Sequence, residues 1–259
     1  MGLPCPAGGR SGKVIAMGAS GRPWATVAGT DEVLGLVPAY ERLLTGFERR
    51  RADAMRAASA RADFVAAHVL VRLCAARLLD RPADTLVLEQ RCPGCGSGEH
   101  GRPSLAGLPQ VSVSLSHTTG VVAAAAGHEP VGIDVERRRL PGGIRGAAGR
   151  VLSAAERAAM RGHADPDAYF LRQWVRKECF IKLGRTTLGG LAAVDLSGLP
   201  GPDEAAEVPS RHGDLYVLDH TDARRDAVAA VVSTARPRIG ALPSPAVPER
   251  PAALEGPLT

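Results

Sequence analysis

Aromatic side chains make up only 3% of this 259-residue chain, with four Phe, three Tyr and two Trp. That scarcity argues against binding of single-stranded nucleic acid, which needs aromatic platforms interleaved with basic groups. Cysteine is also sparse: there are five, an odd count. With no basic segment followed by a hydrophobic block at the N-terminus, a secreted disulfide framework is not expected. No apolar run approaches the roughly 20 residues that span a bilayer. The expectation is a globular protein of the cytoplasm, monomeric, with neither membrane nor nucleic acid as partner.

What is present is a 45% hydrophobic content, enough for a buried core, and a net charge of +5. A basic balance favours an acidic partner such as a polyphosphate ligand or an acidic protein. Residues 1–22 are rich in Gly, Pro and small side chains, and residues 236–259 carry six prolines, from Pro237 to Pro257. Both ends read as disordered tails. Between them the pattern predicts a helix over Ala60–Leu79, with Phe64, His68, Val71, Ala75 and Leu78 along one stripe. Strands are expected at Leu86–Leu88, Val111–Ser116, Val121–Ala126 and Val131–Glu136. In the second of these, Val111, Val113 and Leu115 alternate with Ser112, Ser114 and Ser116, the mark of a strand buried on one face. Ser153 and Glu156 form a capping box that opens a helix to about Gly162. Asp167 is expected to open another, ending at Leu183 before Gly184, with later strands at Val194–Leu196, Leu215–Asp219 and Ala227–Ser233.

Two segments carry the chemistry. In Val131-Gly132-Ile133-Asp134-Val135-Glu136, a strand would turn Ile133 and Val135 one way and both acids the other, giving a carboxylate platform for a hard cation. In Trp174-Val175-Arg176-Lys177-Glu178-Cys179-Phe180-Ile181-Lys182, a helix would align Trp174, Glu178 and Lys182 on one side at four-residue spacing. Packed together, the two would converge three carboxylates and an ammonium. Mg²⁺ takes oxygen ligands and often binds through a few carboxylates plus substrate phosphates, so the set suits phosphate chemistry. The plainer readings are edge-strand acids paired with Arg137, Arg138 and Arg139, and a Glu178–Lys182 helix pair. Lys177 reads as either solvated or supporting its neighbours, and Trp174 as core. Cys92, Cys95 and His100 supply three possible zinc ligands without an obvious fourth, so an unmetallated Gly-rich turn is the preferred reading there.

In these two segments the chain resembles the 4′-phosphopantetheinyl transferases of the surfactin-synthetase-activating type, whose hallmarks are a G-I-D-x-E strand followed by a W-x-x-K-E-x-x-x-K helix. The likeness extends over roughly Arg61 to Ser233. It implies an α+β fold built as a pseudo-twofold pair of subdomains, each a small antiparallel sheet on a long helix, here 23–129 for coenzyme A contacts and 130–235 for metal and catalysis. It implies Mg²⁺, or Mn²⁺, on Asp134, Glu136 and Glu178, with Glu178 and Lys182 catalytic and Lys182 also meeting phosphate. Ser116 and His117 match the family's S-x-S-H contact with the nucleotide, and Arg102 its G-R-P contact with a phosphate. The 3′-phosphate of coenzyme A would meet a basic residue upstream, Arg61 or another of the run Arg49, Arg50, Arg51 and Arg56. The implied activity moves phosphopantetheine from coenzyme A to a serine of an acyl or peptidyl carrier protein, in secondary-metabolite or related biosynthesis. A Mg²⁺-dependent phosphohydrolase and a non-catalytic binding module for coenzyme A or a carrier remain as alternatives.

Overall fold

The computed structural model describes residues 21–91, 101–139, 144–204 and 208–243. The chain opens with β1 (Trp24–Gly29), α1 (Thr30–Leu36), α2 (Gly46–Asp53) and the long α3 (Ala58–Leu79). Then follow β2 (Leu88–Arg91), β3 (Arg102–Leu105), β4 (Ser112–Thr118), β5 (Val121–Gly127) and β6 (Val131–Arg137). Three helices, α4 (Ala148–Val151), α5 (Ala154–Gly162) and α6 (Pro166–Leu183), precede β7 (Ser210–His212), β8 (Leu215–Asp222), β9 (Ala227–Ser233) and β10 (Arg238–Ile239). Among the described residues no helix is long and apolar enough to cross a membrane.

The strands form two four-stranded sheets, ordered β10-β1-β5-β4 and β6-β9-β8-β7, and a separate β2-β3 ribbon. Alternation sends alternate residues of β5 into two cores: Val122, Ala124 and Ala126 meet α3, while Val121, Ala123 and Ala125 meet Ile133, Val135, Ala229 and Val231 of the second sheet. The other face of that second sheet, through Val217, Val228, Ala230 and Val232, packs on Leu171, Val175 and Cys179 of α6. The layers therefore run α3, sheet, sheet, α6, a mixed α+β architecture. Small residues on the facing strands let the sheets approach closely.

The expected α3 stripe is too narrow. Residues from Asp63 to Ala76 are all buried, because the sheet covers one side while α1 and α2 cover the rest. A helix apolar nearly all round is a buried helix. Asp63, His68 and Arg72 are its buried polar side chains, and for Arg72 Glu48 of α2 meets the guanidinium at 2.9 and 2.7 Å.

The Ser153–Glu156 capping box forms as expected and α5 ends at Gly162. For α6 the cap is Asp165 rather than Asp167, with Pro166 in the first turn, where its missing N–H is harmless. No strand forms at Val194–Leu196; Leu188–Ala193 winds as a 3-10 turn, and the carbonyls of Leu191 and Val194 accept from a buried lysine. Within the segment expected to be a tail from residue 236, Arg238 and Ile239 pair in parallel with Trp24 and Ala25. Arg238 and Arg77 lie over the Trp24 ring at 4.6 and 4.0 Å, which seats β10 there.

Candidate active site

The site forms where α6 lies on β6. Gly132 makes that approach possible: a Cβ there would stand 2.7 Å from the Cys179 carbonyl oxygen, so only glycine lets the helix sit this low. At the helix end Gly184 adopts φ 70° and accepts the reversal of the chain. The rotation of α6 about its axis is set by ion pairs to the sheet below. Arg176 Nε donates to Asp219 Oδ1 at 3.0 Å, and Lys182 Nζ donates to Asp134 Oδ1 at 2.8 Å. Both acids lie opposite Ala230 of β9, so they share the face that α6 covers.

Asp134 is 6% exposed. Its Oδ1 accepts from Lys182 and from the Ser116 hydroxyl at 2.7 Å, while its Oδ2 is buried with no partner. An orphaned carboxylate oxygen is costly unless something binds it. Glu136 and Glu178 are half-buried, and both are held above the usual carboxylate range, first by burial and then by the negative charge of Asp134. Hydrogen bonds from Thr118 and Trp174 partly offset this at Glu136, and the Lys182 charge offsets it at both. Three acids thus press on one another around a single ammonium. Among the described residues no three His, Cys, Asp or Glu side chains stand in metal-holding geometry as they are.

Lys182 also donates to the carbonyls of Ile133 at 2.7 Å and Leu115 at 3.2 Å, so its ammonium bridges β6 and β4. Arg137, one of the arginines that the plainer reading paired with the acids, donates instead to the carbonyls of Thr119 and Arg225. Lys177 is neither solvated nor at the site. It is fully buried, with Nζ 2.6 Å from Glu156 Oε2 and 2.6 to 2.9 Å from the carbonyls of Val194, Val151 and Leu191. Burial lowers its pKa, and the Glu156 pairing opposes that shift.

Of the residues expected to contact the nucleotide, Ser116 lies against Asp134, and His117 follows it at the surface. The His117 pKa is lowered by desolvation, with Lys182 and Arg51 acting in the same direction and Asp63 against them. Arg51 is therefore an upstream arginine whose charge reaches the site. Arg61, in the first turn of α3, donates to the carbonyls of Ala52 and Met55 beside an apolar cavity of about 390 Å³ that Tyr40, Leu44 and Val65 help to line. Arg102 does not sit in a turn: it opens β3, and its guanidinium presses on the end of α6, where a Cβ on Gly184 would meet Nη2 at 1.8 Å. Cys92, Cys95 and His100 lie outside the described residues.

Sequence reasoning missed the role of the β4 hydroxyls. Ser112 Oγ and Ser114 Oγ accept the N–H groups of Val131 and Ile133, each at 3.1 Å. The two edge strands are joined in this way by side chains. The period-2 serines were visible in the sequence, but their partner strand was not.

Comparison with known proteins bears on this same region. Residues 130–232 match the family model described as the 4′-phosphopantetheinyl transferase superfamily. The chain is 35% identical over 89 residues to a 4′-phosphopantetheinyl transferase of Bacillus subtilis, a stretch covering 34% of this chain and 39% of that relative. The alignment thus spans about two-fifths of the curated relative's length. The part of the chain that supplies Asp134, Glu136, Glu178 and Lys182 is the part that is similar to the 4′-phosphopantetheinyl transferase superfamily.

Proposed function

We propose that the protein transfers the 4′-phosphopantetheine arm of coenzyme A to a serine of an acyl or peptidyl carrier protein and releases 3′,5′-ADP. The observation that carries this reading is the partnerless, buried Oδ2 of Asp134 beside two carboxylates whose proton affinity is raised. Acids so crowded suit a divalent cation, and Asp134, Glu136 and Glu178 are the residues that would hold Mg²⁺. The bound cation would polarise the pyrophosphate of coenzyme A.

The chain's own groups carry the rest. Glu178, with its raised pKa, is poised to accept the proton of the carrier serine as the hydroxyl attacks phosphorus. Lys182 holds positive charge beside Asp134, where it offsets charge developing on the departing nucleotide. Ser116, His117, Arg102 and an upstream arginine, Arg51 or Arg61, would orient the nucleotide half. In this reading a subdomain of residues 23–129 would hold the coenzyme A contacts and one of residues 130–235 the metal and catalytic groups, the two related by a pseudo-twofold axis. An acidic carrier suits the net charge of +5, and the reaction is assigned to the cytoplasm, with the enzyme acting as a monomer.

The test is incubation with coenzyme A, Mg²⁺ and a panel of apo-carrier proteins, read by mass spectrometry. One phosphopantetheine added to a carrier, lost with EDTA and in Asp134→Ala, is the expected result. Modification undiminished by EDTA would refute the metal assignment, and 3′,5′-ADP released without any carrier would indicate a hydrolase.

A further inference from the structure

Arg137 follows Glu136 on β6 but faces the other way. With Ile133 and Val135 it lies on the side of the strand that is turned to the first sheet. Its Nε donates to the Thr119 carbonyl at 2.8 Å and its Nη1 to the Arg225 carbonyl, so one guanidinium joins the β4–β5 turn to the β8–β9 turn. Each turn is also held from behind. In the first, the Gly120 N–H donates to Asp63 Oδ1 at 3.0 Å, the Gly120 carbonyl accepts from the Thr30 N–H at 3.2 Å, and the Thr30 hydroxyl donates to the same Asp63 oxygen. In the second, the Arg225 guanidinium pairs with Asp222 and with Glu32 of α1. Glu32 in turn accepts from the N–H of Gly29, beside Thr30, at 3.2 Å. These links close into a ring that girdles one end of the two stacked sheets.

Resting on the transferase reading above, we infer that Arg137 is a positioning residue: through the Thr119 and Arg225 carbonyls it holds β4, the strand expected to meet the nucleotide, in register with β6, the strand that carries the acids. Ser116 and His117 stand on β4 just before the turn that Arg137 grips, and Glu136 is its neighbour on β6. Transfer needs both strands at once, and a misplacement of about 1 Å can cost about 100-fold in rate. A metal ion alone, or the nucleotide half alone, needs one strand and not their alignment.

The test reads the two half-sites and the reaction separately, on the full chain. Arg137→Ala and the milder Arg137→Gln, which keeps an amide donor, are compared with Arg224→Ala, at a side chain that is 77% exposed and whose loss leaves the Arg225–Glu32 pair in place. Mn²⁺ binding is followed by loss of the free-ion EPR signal, 3′,5′-ADP binding by calorimetry, and phosphopantetheine transfer by mass spectrometry. We expect kcat to fall by about 10- to 100-fold in Arg137→Ala and by less in Arg137→Gln, while both variants bind Mn²⁺ and 3′,5′-ADP as wild type does and Arg224→Ala is unchanged throughout. Circular dichroism monitors folding, and Arg137→Gln carries the comparison if Arg137→Ala misfolds. A wild-type kcat in the folded Arg137 variants, or loss of Mn²⁺ or 3′,5′-ADP binding in step with kcat, would overturn this inference alone. No transfer by the wild-type protein to any carrier would overturn the transferase reading and this inference with it.

Discussion

Replacing Lys177 with alanine should destabilise the fold more than it disturbs any chemistry at Asp134. The ammonium is fully buried and has four acceptors, Glu156 Oε2 and the carbonyls of Val151, Leu191 and Val194. Removing it leaves a buried carboxylate without its cation and three carbonyls without a donor. Glu156 keeps the N–H groups of Ser153 at 2.7 Å and Leu196 at 2.8 Å, which limits the loss. Breaking a buried pair from one side costs about 3–5 kcal/mol. In a chain of this size about 1 kcal/mol shifts the melting temperature by roughly 2–4 °C, so a fall of about 6–20 °C is expected. Differential scanning calorimetry of Lys177→Ala beside Lys182→Ala, at a side chain that is 25% exposed, measures it. A fall of less than about 3 °C for Lys177→Ala, or a larger fall for Lys182→Ala, would refute the reasoning.

Acid should weaken the fold through His68, whose pKa is lowered from 6.5 to about 4 by burial, with Arg72 and His117 acting in the same direction and the Phe64 carbonyl and Glu48 against it. The unfolded chain takes the proton near pH 6.5 and the folded one does not until about 4, so stability is lost as pH falls through that window. The loss attributable to His68 is about 3 kcal/mol across that window; urea melts of His68→Gln showing the same acid slope as wild type would remove His68 from the account. Gly184→Ala meets a left-handed backbone and the Arg102 guanidinium together, and should cost about 1–2 kcal/mol while displacing Arg102 and raising the KM for coenzyme A. An unchanged melting temperature and KM would show that neither contact matters.

Local signals were legible in the sequence and distant ones were not. The Ser153–Glu156 box, Gly184 as a helix stop and the Asp134–Glu136 face each depend on residues a few positions apart, and each is found where expected. Lys177 was ambiguous because its partner Glu156 lies on another helix, and nothing in the Trp174–Lys182 spacing shows which side is enclosed. Val194–Leu196 has strand composition, but its carbonyl at Val194 is taken by that same lysine. The short β10 is held by Trp24, more than two hundred positions earlier, and a two-residue strand has no periodicity to read. At the site, the sequence brought together the three acids and Lys182; it did not show that the serines of β4 lie against them.

β4 and β6 are each the last strand of their sheet. An edge strand with unpaired N–H groups is a template for foreign chains. Here the N–H groups of Val131 and Ile133 are capped by Ser112 and Ser114, so the β6 edge is shielded from intermolecular pairing without its main chain being fused to β4. Main-chain pairing would have merged the two sheets and closed the space between the strands. Hydroxyl rungs keep them a side chain apart, and the row continues to Ser116, whose hydroxyl donates to Asp134. Protection of the sheet edge and the seating of the Asp134 carboxylate thus follow from the same row of small side chains.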